Sequence, residues 1–437
     1  FTHNSGTLLM DASSGTAGLD TGGATLNHLT FDDTGGNVTF VLQGALDVDG
    51  DFAINGGTVG FNEKAEVGSV TLSDTIDGSV TQTVTFQNTY ANAVVVAFIA
   101  TRNDDESVEV RIRNVASGSC EFFMEEPDNG THAGETVCYI AMEAGTHTLA
   151  DGTLVEAGRL STSSVHREGD AFGGPTVSFA QAFGAAPVVL QTVNTYANGA
   201  FMAARAHNVT ASDVQLQQEA GGSGATATTE TIGWIAVESG VTGTLAGLTH
   251  ETGSSNDGSD DGVDDTEHTI TYAQTFASAP TVVVKGNSDN GADGYWARGS
   301  GTRSATQQGV YAEEDAVGNT ERAHTDETFG YWAFSGSGVL GTSGETIHVA
   351  GNWTNSDTFL AGGSTVTFDG GAGTHDIVSD GSAFYNVVFD DSAAGATFEL
   401  EDAFAADGDL TITGGTLDTK AGEDNAIQVA GNWTNSD

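Results

Sequence analysis

The nine residues VAGNWTNSD stand at 349–357 and again at 429–437. After the first copy the chain runs on as TFLAGGSTVTFDG, whereas the second closes the sequence. The first residues, FTHNSGTLLMDA, match that continuation: Phe1 falls on Phe359, Thr7 on Thr365, Leu8 on Val366, Met10 on Phe368 and Asp11 on Asp369. The end of one copy therefore reads into the start of another. Phe1, Leu8, Met10 and Trp433 are the candidate residues of such a head-to-tail joint.

Longer phrases repeat around this one. ALDVDGDFAINGGTVG (45–60) aligns with AFAADGDLTITGGTLD (403–418), and ATLNHLTFDDTGG (24–36) with SAFYNVVFDDSAAG (382–395). The apolar runs are short (STVTF, NVVF, TFEL, DLTI) and each is closed by Gly, Asp or Asn, the punctuation of strands and tight turns. Strands this short cannot bury a face alone, and stacking coil upon coil is the economical solution. A β-solenoid is expected for residues 1–67 and 347–437, with a small β-sandwich as the alternative. Residues 348–437 joined to 1–66 would make roughly seven coils of about twenty residues, a rod of roughly 34 Å at the spacing of stacked strands. Cut at the chain boundary, each part would leave an open sheet edge, which recruits further strands unless it is blunted.

The composition agrees. With 60 Gly, 4 Pro and 22 Phe in 437 residues, and no sustained 3.6-residue apolar spacing, the chain reads as all-β with no membrane span. Sixty Asp and Glu against twelve Lys and Arg leave a net charge of -48. That excludes nucleic acid, whose binders need clustered cations. Acid scattered through every segment reads as a solvated surface, tolerable where salt screens the repulsion. The expected setting is extracellular or cell-surface, prokaryotic and saline; an ordinary acidic surface is the alternative. The start at Phe1 is expected to reflect either a removed leader or a slice of something longer. Sequons at Asn37, Asn129, Asn208, Asn352 and Asn432 suit an exported surface, though a Thr-rich chain produces such triplets by chance.

A second repeat type fills the middle. TVTFQNTYANAVVVAF, TVSFAQAFGAAPVVLQ and TITYAQTFASAPTVVV begin at the evenly spaced Thr83, Thr176 and Thr269. Each is followed by a strand carrying Arg (Arg111, Arg205, Arg298), a strand ending in Glu (Glu125, Glu219, Glu313), and a Glu with an aromatic four residues on: Glu135 with Tyr139, Glu230 with Trp234, Glu327 with Tyr331. Alternation along CEFFMEE and ETVCYIAME puts Cys120, Phe122 and Met124 inward with Cys138, Ile140 and Met142, leaving Glu125, Glu135 and Tyr139 outside. Likewise Val214, Leu216, Ile235 and Val237 are expected inside, and Glu219, Glu230 and Trp234 outside. Three antiparallel sandwich or barrel modules follow, at 68–165, 166–250 and 251–346, the last including an acidic linker. Cys120 and Cys138 are the chain's only cysteines. A disulfide between them would stabilise by roughly 3 kcal/mol and suits an oxidising compartment; two buried thiols are the alternative.

The opening strands with their Ala-Pro-Val run (PVV at 187–189), VRIRNV at 110–115 and the Glu-rich strand before ETVCYIAME resemble the H-type lectin domain family. The resemblance covers roughly residues 76–345. It implies a compact six-stranded antiparallel fold that trimerises and binds N-acetylgalactosamine-type sugars, so that three tandem copies could pack as a pseudo-trimer in one chain. The segments with GNWTNSDTF and DGDLTITGGTLD are similar to repeats of very large prokaryotic surface and adhesin-like proteins.

The Arg, Glu, Glu and aromatic set has two readings. It is a sugar platform, or it is an ion-paired contact between neighbouring strands or copies. Carboxylate pairs also suit glycoside hydrolysis. Triplicate pairs in small closed modules argue against that, and no enzyme is expected. Asp257, Asp260, Asp261 and Asp264 sit in SSNDGSDDGVDDTEH (254–268), an oxygen-rich loop of the kind that suits calcium, with a solvated linker as the alternative. Calcium is the one cofactor under consideration, since no His or Cys cluster supports zinc. Two functions are carried forward. One is a structural repeat unit of an extracellular filament or giant surface fibre whose partner is another copy of itself. The other is a carbohydrate-binding adhesin whose partners are glycans.

Overall fold

The computed structural model describes residues 5–33, 35, 38–61, 64–73, 81–128, 130–223, 226–245, 247–255, 262–315, 317, 322–340, 343–391 and 395–436. The chain is all-β and divides into two units, one formed by 1–63 with 341–437 and the other by 64–340. No helix among the described residues is long and apolar enough to cross a membrane.

The first unit is a β-solenoid. Its strands pair in parallel in seven-, six- and four-stranded sheets, and alternate residues point inward. Val38–Leu42 and Ala396–Leu400, for example, bury every second side chain. The core is a ladder of Leu29, Phe31, Phe40, Phe52, Ile54, Trp353, Phe368, Phe389 and Phe398, all at most 1% exposed. Trp353 stacks on Phe52 with ring centroids 4.3 Å apart, and Phe359 and Phe384 meet it edge-on. The turn in INGG and ITGG recurs as well. Gly57 and Gly415 have φ of 87° and 88°, and a Cβ on Gly57 would lie 2.9 Å from the Val38 carbonyl oxygen. Only glycine fits there without strain.

The rungs join differently from the expected order. Phe52 pairs with Trp353, Leu46 with Ile347 and Thr58 with Thr358. Residues 1–63 therefore stack directly beneath 341–437 inside one molecule, and 64–340 is an insertion between two consecutive rungs. The expected block, in which 348–437 precedes 1–66, is corrected to the opposite order. Because the repeats are cyclic in sequence, either order aligns. Within one chain, however, the partner rung is tethered, and closing even a long loop costs only about 0.6 kcal/mol more per doubling of its length.

The second unit pairs antiparallel, except that the short strand Val165–His166 runs parallel to Asp213–Glu219. Ala93–Ile99, Glu135–Glu143 and Ala65–Leu72 lie side by side in one sheet, and Glu109–Arg113, Ser119–Glu125 and Gln82–Thr85 in another. The pattern recurs with Val188–Val193, Glu230–Val237 and Leu154–Thr162 accompanied by Ala203–His207, Asp213–Glu219 and Thr176–Ser178. It recurs again with Thr281–Gly286, Phe329–Phe334 and Leu248–Ser254 accompanied by Trp296–Arg303, Gln307–Glu313 and His268–Thr271. The three copies do not keep three separate interiors. One apolar cluster runs from Phe98, Cys138 and Ile140 through Leu190 and Ile235 to Val284 and Trp332.

That shared core reverses the expected faces. On Glu135–Glu143, Val137, Tyr139 and Ala141 face Cys120, Phe122 and Met124 of their own copy, while Cys138, Ile140 and Met142 face the other copies. In the second copy Trp234 and Ala236 pack with Val214 and Leu216, and Ile235 and Val237 lie on the shared side. Both faces of these strands are apolar, as in any sheet covered on both sides, so alternation alone cannot say which one the copy keeps for itself. Cys120 and Cys138 are both buried and free, one in each of the two clusters. The expected disulfide is thereby corrected, because their side chains leave opposite sides of the strand layer between them.

Candidate functional site: a ring of buried arginines and glutamates

The strands that carry Arg111, Arg205 and Arg298 turn Val110 and Ile112, Ala206, and Ala297 respectively into the apolar clusters, so parity points each Arg the other way. That face is covered by the next copy, and the three guanidinium-bearing side chains are 0%, 1% and 0% exposed. Each arginine pairs with the Glu of its neighbouring strand: Arg111 with Glu125, Arg205 with Glu219 at 2.9 Å and Arg298 with Glu313 at 3.4 Å. Each also reaches a Glu of a different copy. Arg111 lies 3.5 Å from Glu230, Arg205 3.9 Å from Glu327 and Arg298 2.7 Å from Glu135. The first copy thus reaches the second, the second the third and the third the first. The exchange closes on itself.

The receiving carboxylates are caged alike. Thr101, Thr195 and Ser288 donate their hydroxyls to Glu135, Glu230 and Glu327 respectively. Backbone N–H groups of Asn103, Ala197 and Asn290 each donate at 2.8 Å to the same three. Side-chain amides add to the seams: Asn194 bonds the backbone N–H and C=O of Val95, and Asn287 those of Val189.

Histidines complete the charge pattern. His132 bridges Glu126 at 3.0 Å and Glu135 at 3.2 Å, His166 lies 2.9 Å from Glu219, and His324 bridges Glu314 and Glu327. Burial works to lower the His324 pKa, but its bonds to the two carboxylates outweigh it and lift the group to about 9. Burial likewise works to raise Glu135, and hydrogen bonds from His132 and Thr101 with the Arg298 charge hold it below its ordinary value. Glu125 goes the other way: burial pushes it up to about 7 against the opposing pull of Arg111. The sequence reading missed these histidines: His132 and His324 each stand three residues before the receiving Glu, a spacing that recurs in two copies and could have found them, whereas His166 lies on the short strand Val165–His166 with no counterpart in that pattern.

The aromatic members are not presented to solvent. Tyr139, Trp234 and Tyr331 are 7%, 4% and 8% exposed. Tyr139 meets Phe122 edge-on, Trp234 lies against Phe179, and Tyr331 donates to Glu251 at 2.8 Å. No open face remains at these side chains for a sugar ring to stack on, which corrects the platform geometry: the side expected to be outside is occupied by protein.

Of the acidic loop, Asp257, Asp260 and Asp261 lie outside the described residues. Asp264 accepts from the Thr266 N–H and hydroxyl at 2.7 and 2.6 Å, closing a turn. Elsewhere among the described residues, ligand atoms of Asp104, Glu106 and His132 converge within 4.8 Å. Both ring nitrogens of His132 are already engaged by carboxylates, which leaves no free lone pair for a cation.

At the solenoid ends, Leu8 and Met10 are half-buried against the end of the core and Trp433 is 51% exposed; Phe1 lies outside the described residues. The corresponding interior residues Val366, Phe368 and Trp353 are fully buried.

No family model matches the chain, so the likeness to H-type lectins rests on the quoted residues alone. No solved structure matches it either. The chain is 30% identical to Halomucin of Haloquadratum walsbyi over an alignment of 283 residues, which covers 61% of the chain and 3% of that protein's length.

Proposed function

We propose that the chain is a non-catalytic structural repeat unit of an extracellular filament or giant surface fibre in a saline setting. Its solenoid continues end to end into that of another copy, and the inserted unit is a set of three lectin-like modules closed into a pseudo-trimer by the arginine–glutamate ring. The observation that carries this reading is the solenoid's repeated parallel pairing plan, in which Phe52 on Trp353 recurs as Leu410 on Trp433. A stack built on one repeated plan accepts further rungs without a change of fold.

Two other facts support it. A charge of -48 disfavours close packing of copies in dilute buffer, but at about 1 M salt the screening length falls to about 3 Å. The matched stretch is also a small part of a very long relative, as expected where such units are strung together. On this reading the ion requirement is screening, not a bound calcium. The adhesin reading would need a glycan surface other than Tyr139, Trp234 and Tyr331. Sedimentation velocity in about 2 M NaCl tests the proposal: the mass should rise with concentration well above 44.6 kDa, and a constant 44.6 kDa would reject it.

A further inference from the structure

Glu126 follows the paired Glu125 of the first copy, as Glu314 follows Glu313 in the third; Ala220 stands there in the second. The residue is 1% exposed. One carboxylate oxygen, Oε1, lies 3.0 Å from His132 Nδ1. The other, Oε2, is buried and has no hydrogen-bond partner among the described residues. A buried carboxylate oxygen without a donor carries a desolvation penalty that a bound ligand would remove.

What surrounds that oxygen is more acid. A Cβ built on Gly130 would stand 2.6 Å from Glu126 Oε2, 3.4 Å from Glu106 Oε2 and 3.5 Å from Asp128 Oδ1, and no atom outside the flanking residues is nearer to it. Glycine keeps the corner between the three carboxylates clear of a side chain. Glu106 and Asp128 are exposed, just before Glu109–Arg113 and just after Ser119–Glu125, and Asp104 stands beside Glu106. Burial raises the pKa of Glu126, and the Glu106 and Asp128 charges add to the rise against the pull of His132.

We propose that this corner binds calcium, with Glu126 Oε2 as the fixed ligand and Glu106 and Asp128 as the adjustable ones. Calcium takes six to eight oxygens at about 2.3–2.6 Å in irregular geometry, and water fills the positions the protein leaves open. Exposed carboxylates can swing inward by about 1 Å to reach an ion beside Glu126, whereas magnesium asks for a near-ideal octahedron at about 2.0–2.1 Å. His132 is not a ligand. It holds the far oxygen of Glu126 and meets Glu135 at 3.2 Å, which Arg298 of the third copy reaches at 2.7 Å. The ion therefore fixes the last free atom of a relay that runs to the seam between the first and third copies.

The other copies show why the first is singled out. In the second, Ala220 and Ala227 stand in place of Glu126 and His132. In the third, Glu314 and His324 pair as in the first, but the adjacent Asp315 accepts from the N–H groups of Gly222 and Val317 at 2.7 and 2.8 Å. Its acid is satisfied by the protein itself.

The site is independent of the fibre reading, whose salt requirement is screening. Calorimetric titration of CaCl2 into the chelator-treated full chain tests it, in about 1 M NaCl so that diffuse attraction to the surface charge is screened. The unaltered chain should bind one calcium, and its melting temperature should rise with calcium concentration. Glu106→Gln with Asp128→Asn, both exposed and so tolerated by the fold, should weaken binding at least about tenfold and remove the rise. Asp170→Asn with Glu267→Gln, two exposed acids elsewhere on the same unit, should change neither. Full binding by the Glu106 and Asp128 variant, an equal loss in the Asp170 and Glu267 variant, or no saturable binding by the unaltered chain overturns the site. Magnesium bound as tightly as calcium overturns the choice of ion.

Discussion

Arg298 shows what a buried charge does in this molecule. It is fully buried between Glu135 and Glu313, and removing one partner of such a set leaves an uncompensated charge, at a cost of about 3–5 kcal/mol. Arg298→Ala should lower the stability of the inserted unit by that amount in chemical denaturation. Pairing it with Glu135→Gln should recover part of the loss, because the two substitutions remove the same interaction. The ring also gives the unit a pH dependence with two limbs. His324 is raised from 6.5 to about 9, so its contribution is full below 6.5 and lost as pH rises through about 9. Glu125, raised from 4.5 to about 7, works in the same direction, contributing below 4.5 and losing that contribution as pH rises through about 7. Glu135, Glu219 and Glu327 are held below 4.5, so their contribution is present above 4.5 and lost as pH falls through their folded values. Melting temperature at constant salt should therefore fall both in acid below 4.5 and in alkali toward 9, and His324→Gln should flatten the alkaline limb. At this scale the sequence singled out these Arg and Glu residues because they recur, and the structure brings them together between copies. It did not show that a neighbouring copy covers them, because alternation reports a face and not what lies against it.

Short strands tell the same story one level up. In the solenoid, alternation and turn glycines were enough: the GNWTNSD phrase, the INGG and ITGG turns and the period of about twenty residues all find their place in stacked parallel rungs. In the inserted unit the strand ETVCYIAME is apolar on both faces, and its Cys138 and Tyr139 faces exchange the roles alternation assigned them. The two copies of the nine-residue phrase allow a matched comparison of elements. Trp353→Ala removes a fully buried ring from between two rungs and should cost about 3–5 kcal/mol. Trp433→Ala should cost under about 1 kcal/mol in the isolated chain, as expected for a half-exposed side chain, while weakening association between copies. Thermal melts in dilute solution against sedimentation at high concentration separate the two effects; equal melting losses would mean that the last rung is already covered within one molecule.

The order of the solenoid segments could not be read from repeats that align either way round; spatial pairing decides it, with the inserted unit leaving and returning between adjacent rungs. The first and last strands of the insertion meet, Leu340 opposite Ala65, so its two ends are already clamped together. Residues 64–340 expressed alone should therefore unfold in a single cooperative transition in salt, and a protein that is molten by near-UV circular dichroism would contradict that. The central claim concerns the whole molecule as one length of a longer spine. Micrographs of the purified chain concentrated in about 2 M salt test it most directly. The account predicts unbranched rods with an axial rise of roughly 34 Å per copy, about seven strand spacings; a field of separate 44.6 kDa particles at every concentration would contradict it.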